Sequence, residues 1–195
     1  MVPKAPLSVL TLLALIFACA QTATAQSKGT ATRAFGLEAF AGYTWLATSD
    51  GSNGSGFFLG ADLTHAMRHF DVAGEFRYTR GGGDTVTEQS FLAGGKIGKR
   101  FGRFSPYATG FIGYGTVTYL HPIVFANGPY THDNSVVYDG GGGIDYDLIR
   151  GFALKADFQY QHWNLGSELT PLTPMTYSGG IVYRIPAGRL KGLPQ

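Results

Sequence analysis

From Phe35 onward, large apolar residues alternate with small or polar ones, position by position. A period of two is the mark of a β-strand, because successive side chains point to opposite faces. Eight segments carry it and are predicted as strands: 35–45, 56–65, 70–80, 89–98, 104–116, 135–146, 151–163 and 176–185. The seventh, "GFALKADFQYQHW", is the clearest. Phe152, Leu154, Ala156, Phe158 and Tyr160 share one face, and Ala153, Lys155, Asp157, Gln159 and Gln161 share the other. In the first, Phe35, Leu37, Tyr43 and Trp45 oppose Glu38. In the second, Phe57, Leu59 and Leu63 oppose Asp62. In the third, Phe70, Val72, Phe76 and Tyr78 oppose Glu75 and Arg77. In the fourth, Phe91, Ala93 and Ile97 oppose Lys96. In the sixth, Val136, Tyr138, Ile144 and Tyr146 oppose Asp139 and Asp145. In the eighth, Tyr177, Ile181, Tyr183 and Ile185 oppose Ser178 and Arg184. The fifth has no charge to orient it, so Ala108, Ile112 and Tyr114 face one way and Tyr107 and Phe111 the other, with the inner side left open.

The connections alternate in length. Longer polar loops are expected at 47–55, 81–87, 117–134 and 164–175, with short turns at 66–69, 99–103 and 147–151. That rhythm fits antiparallel up-and-down strands whose two ends meet different environments. Transmembrane barrels have it, with short periplasmic turns and longer extracellular loops. Each segment is also close to the ~9–11 tilted residues that cross a bilayer.

Composition decides which face is inside. Charged residues make up 14% of the chain, aromatics another 14%, and glycines number 29. A soluble barrel would bury the Phe, Tyr, Leu and Val faces and show water a surface dense in Lys and Glu. Here the opposite faces hold a few charges among Gly, Ser, Thr, Gln and Ala, which suits the cramped centre of an eight-stranded barrel. The expected arrangement is therefore reversed: apolar side chains meet lipid, with Tyr and Trp near the interfaces. Glu38, Asp62, Glu75, Asp139, Asp145 and Asp157 then lie inside with Arg77, Lys96, Lys155 and Arg184 in near balance. The soluble, lipocalin-like barrel is the competing reading.

The N-terminus reads as an export signal at 1–25: Lys4, an apolar run from Leu7 to Ala20, and small residues at Ala23-Thr24-Ala25. The apolar run is shorter than a membrane helix needs. Cys19, the single cysteine, falls within it; acylation there is the alternative, disfavoured by Phe17. Residues 26–195 are expected to form one barrel domain with short periplasmic tails. A formal net charge of +2 gives no electrostatic case for nucleic acid.

The sequence resembles the outer-membrane β-barrel domain family, the OmpA/OmpX-like and opacity-type eight-stranded barrels. The resemblance rests on "FGLEAFAGYTWL", "PYATGFIGYG", "YDGGGGIDYDL", "ALKADFQY" and "YSGGIVYRI". It implies an all-β, eight-stranded transmembrane barrel in the cell outer membrane of a Gram-negative envelope. The lipid bilayer is the implied partner. So is the barrel-assembly machinery during biogenesis, whose signal Ser178, Gly180, Tyr183 and Ile185 match in spacing. Family members commonly end on an aromatic residue, whereas this chain continues through "PAGRLKGLPQ".

Candidate chemistry is sparse. His65 and His69 flank a short turn, and His121 and His132 share a loop with Asp133. None has the ligand set of a zinc site. "HWNLG" at His162 superficially resembles the lipid A deacylases, but the nearest serine, Ser167, lies past a loop start, and a nucleophile must reach its base. His162 is expected at the rim beside an interfacial Trp163. Gly81–Gly83 and Gly140–Gly143 lack P-loop spacing; the second run lies in a strand, where Gly admits a neighbouring side chain such as Tyr107 or Phe111. Asn53-Gly54-Ser55 is expected as a turn. No catalytic, cofactor or metal site is expected. The expected work is structural or interactive: envelope integrity, surface adhesion, or contact with an extracellular ligand or surface partner through the loops, over a plugged interior. A narrow porin-like channel is the alternative, and a lipid A-modifying enzyme a further one.

Overall fold

In the computed structural model, eight antiparallel strands close into a barrel in sequence order. They are β1 (Phe35–Ala47), β2 (Asn53–Ala66), β3 (Asp71–Gly82), β4 (Val86–Gly98), β5 (Phe104–Phe125), β6 (Gly128–Ile149), β7 (Phe152–Trp163) and β8 (Met175–Ile185). The structure describes residues 35–47, 53–67, 69–83, 86–125, 128–165 and 172–185. The expected leader and tails lie outside that range, as does Ser167. Pairing of β1 with β8, from Leu37↔Ile185 to Ala47↔Met175, joins the two ends of the sheet. Closure satisfies the edge groups that an open sheet could not leave bare in lipid.

The strands are longer than alternation alone indicates, mostly at the loop end. Residues 117–134, expected as a long loop, instead continue the ladder: β5 and β6 each run 22 residues. Their pairing passes an irregularity between Thr118 and Ile123 and reaches Phe125↔Gly128. The polar, turn-like composition there concealed a projecting hairpin. Asn53, Gly54 and Ser55 likewise belong to β2, paired with Ala47, Leu46 and Trp45, rather than to a turn.

The opposite end is closed by tight turns. Phe101 and Phe104 exchange backbone hydrogen bonds of 2.7 and 3.0 Å around Gly102, whose φ of 62° only glycine adopts without strain. Gly151, at φ 88°, serves the β6–β7 turn in the same way.

Facing follows the reversed pattern. Phe35, Tyr43, Trp45, Phe76, Phe91, Ile112, Tyr114, Leu154, Phe158 and Tyr160 are all exposed on the outer wall, whereas Asp62, Glu75, Arg77, Asp145, Lys155, Asp157, Gln159 and Gln161 are buried within it. The fifth strand is now oriented: Tyr107 and Phe111 point inward and Ile112 and Tyr114 outward. Inward glycines make that possible. A Cβ on Gly143 would lie 2.6 Å from the Tyr107 hydroxyl, and one on Gly94 would lie 2.7 Å from the Phe111 ring. The absent side chains on neighbouring strands are the space the rings occupy.

Candidate functional site

The interior is built in layers. At the turn end, the Arg184 guanidinium donates to Glu38 Oε1 at 2.9 Å and also to Asp147 Oδ1. Arg184 and Glu38 share a cavity of about 340 Å³ with Lys96, Tyr107 and Asp145, open toward the turns. One layer deeper, Lys96 Nζ donates to Asp62 Oδ2 at 2.9 Å and Asp145 Oδ2 at 3.2 Å. Lys155 Nζ is 3.9 Å from Asp145 Oδ1 and lies over the Tyr107 and Phe40 rings, at 4.3 and 4.8 Å from their centroids. An ammonium held against ring faces is stabilised by their quadrupoles.

Arg77 occupies the middle. Its guanidinium bonds Glu75 at 2.9 Å and Asp157 at 2.7 Å. The rings of Phe40, Phe58 and Phe111 surround it at 5.4–5.6 Å. Tyr107 Oη donates to the same Asp157 oxygen at 3.3 Å. Above it the network turns from ions to amides. Gln161 Nε2 donates to Asp139 Oδ2 at 3.0 Å. Gln159, with its amide nitrogen toward Asp139, donates to Oδ1 at 2.7 Å while its oxygen accepts from Arg77 Nη1 at 3.3 Å. A carboxylate distant from any cation is thereby tied to one through a neutral relay.

Toward the loop end the chemistry changes again. Leu92, Phe111, Val117, Val137 and Trp163 form a buried apolar layer, and Val86, Tyr119, Leu165 and Leu172 pack against it. Trp163 is therefore not an interfacial residue. It is 1% exposed, and its indole Nε1 donates to Gln161 Oε1 at 3.0 Å. Alternation concealed this because Trp163 falls on the polar face of β7, where a large ring is unexpected. Gly115 provides the room: a Cβ there would sit 2.3 Å from Trp163 Cζ3 and 2.8 Å from Val137 Cγ2. Gly115→Val is expected to overpack this layer at a cost of about 1–3 kcal/mol. The measurement is the urea midpoint of the protein in lipid vesicles, followed by Trp fluorescence; an unchanged midpoint would refute the packing.

The expected near balance of charge also needs correction. Asp147 and Glu88 face inward as well, so acids outnumber bases in the interior. Asp147 lies in an expected turn, and Glu88 falls between the expected loop 81–87 and the expected strand 89–98. Amide and hydroxyl donors meet part of this acidic excess.

The histidines remain apart. His65 stacks at 4.7 Å on Phe35 near the turn end, while His121 and His132 are exposed on the β5–β6 hairpin. His162 pairs in register with Tyr138 near the loop end of the wall. Among the described residues, no group of three or more His, Cys, Asp or Glu side chains is placed to hold a metal.

An outer wall of Phe, Tyr, Leu and Ile around a closed, ion-paired centre defines a protein that crosses a membrane with strands. A soluble barrel is excluded, because its ionic face would have to be the one in water. The particular family follows from comparison. The model of the outer membrane protein beta-barrel domain matches residues 10–184, and the chain belongs to that family. It is an outer-membrane protein.

Solved structures share the fold at low identity. Neisserial surface protein A aligns at a TM-score of 0.54 and 13% identity, over 80% of this chain and 100% of its own. Ail, the attachment invasion locus protein of Yersinia pestis, solved with the heparin analogue sucrose octasulfate, aligns at 0.54 and 19%, over 77% and 99%. No curated protein sequence matches the chain.

Proposed function

We propose that the protein is a non-enzymatic, sealed barrel that acts at the cell surface through its loop end, by attachment or contact with a surface partner. The carrying observation is the β5–β6 hairpin. It continues past Thr116↔Asn134, beyond most of the apolar layer, and presents Leu120, His121 and His132 to solvent. An exposed, hydrogen-bonded ribbon on a rigid wall is a suitable recognition element. In barrels of this class the short turns are periplasmic and the longer connections extracellular, which supports a hairpin outside the cell. The attachment named in the description of Ail accords with this reading. Its polysulfated ligand is not carried over, because the loop-end segments here have Arg80 against Asp50, Asp84, Asp133 and Glu168.

The same apolar layer argues against the porin-like reading. Purified protein in planar bilayers is expected to give no stable conductance steps. Surface expression in a non-adherent host is expected to raise attachment to epithelial monolayers. Replacing residues 118–132 with a short turn should abolish that gain while the barrel keeps its heat-modifiable migration on gels. Reproducible unitary openings would favour the channel. Attachment that persists without the hairpin would refute the proposed role of the ribbon.

A further inference from the structure

The near-neutral formal charge hides a strong polarity. The loop segments are acidic, as noted above, whereas the turns 99–103 and 150–151 hold Lys99, Arg100, Arg103 and Arg150. These side chains are exposed. Backbone contacts anchor each turn to a neighbouring strand. Asp147 N–H donates to the Arg103 carbonyl at 2.8 Å, and Arg184 N–H donates to the Gly151 carbonyl at 2.8 Å. Between them lies an open cleft of about 450 Å³ lined by Arg100, Arg103, Arg150 and Arg184. Asp147 is the carboxylate in it, and Arg184 already engages that group. Among the described residues, Arg100, Arg103 and Arg150 form no ion pair. Immediately against this cationic rim the wall is apolar: Leu148 is 43% and Ile149 70% exposed, with Phe101, Phe104 and Phe152 alongside.

We propose that this cleft seats the phosphate headgroup of an anionic phospholipid, with its acyl chains along Ile149 and Phe152. The proposal rests on the orientation given above, which puts the turns at the inner leaflet. Guanidinium groups match phosphate oxygens in a bidentate fork, and their stems lie along apolar surface while the charged head stays at the interface. A free anion would gain nothing from the apolar side chains beneath the arginines, whereas a lipid uses both. The cationic end thereby marks the protein's depth in the bilayer.

The test is native mass spectrometry of the full chain, purified in neutral detergent and loaded with equal amounts of dioleoyl phosphatidylglycerol and dioleoyl phosphatidylcholine. Wild type is expected to retain the anionic lipid over the neutral one by about fivefold or more. Arg100→Gln, Arg103→Gln and Arg150→Gln together should bring the two lipids to parity, while Arg80→Gln, at the other end, should leave the preference intact. Parity in wild type, or a preference that survives the triple substitution, overturns the proposal. Displacement of the lipid by an equal concentration of inorganic phosphate would assign the cleft to a soluble anion and overturn it too. If the triple variant does not fold, wild type decides alone. Its preference must collapse as NaCl is raised from about 50 to about 500 mM, and a salt-insensitive preference overturns the proposal. These measurements in micelles do not depend on orientation. Labelling of a Phe101→Cys variant by an impermeant maleimide in intact cells would instead refute the orientation alone.

Discussion

Arg77→Met is expected to destabilise the barrel by about 3–5 kcal/mol. Arg77 is 2% exposed and is bonded to Glu75 and Asp157, which are also buried. Removing the cation leaves two carboxylates facing each other across the lumen, with the rings of Phe40, Phe58 and Phe111 close to the space the guanidinium occupied. Desolvated charge without a partner is the costly condition, far more so than the absence of an ion pair as such. The added substitutions Glu75→Gln and Asp157→Asn should therefore restore much of what Arg77→Met takes away. The non-additivity of the three is the diagnostic quantity. Urea titrations in vesicles, read by Trp fluorescence and by gel migration, measure it. An Arg77→Met variant as stable as wild type would show that the central pair does not hold the lumen together.

Phe158→Arg is the second large effect, expected at about 2–4 kcal/mol because the residue lies midway along β7 on the outer wall. A cation there faces hydrocarbon. On a soluble barrel the same exposed position would tolerate a charge within about 0.5 kcal/mol. The contrast makes the substitution a direct measure of what surrounds the wall. Unfolding titrations of wild type and Phe158→Arg in phosphatidylcholine vesicles give the value, and equal midpoints would contradict the membrane-facing assignment of Phe158, Leu154 and Tyr160.

The barrel was legible wherever charge and alternation agreed. On β7, Lys155 and Asp157 oriented the strand, and the structure pairs it with β6 as Asp145↔Lys155 and Gly143↔Asp157. On β3, Glu75 and Arg77 did the same. β5 carried no such marker. Its inner face is Tyr107 and Phe111, aromatic like its outer face, and only the matching glycines on β6 and β4 reveal which rings are inside. Those pairings are between strands, and periodicity within one strand does not contain them. Trp163 was misplaced for the same reason: its pocket is Gly115, far away in sequence. The β5–β6 hairpin was missed because Asn, Gly, Pro and Thr between 117 and 134 read locally as loop, whereas the ladder with the partner strand holds them extended. The charge excess inside was missed with Asp147, which fell in an expected turn, and with Glu88, which fell just outside the expected fourth strand.

The apolar layer around Trp163 has a consequence for the envelope. The hollow beside Arg184 opens at the turn end, and the salt-bridge and ring layers lie beyond it. On the sealed reading proposed above, the protein is a blind socket and not a conduit. In a barrel so sealed, a voltage across the outer membrane would fall mainly across the apolar upper storey, while the ionic lower storey would share the potential of the compartment into which it opens.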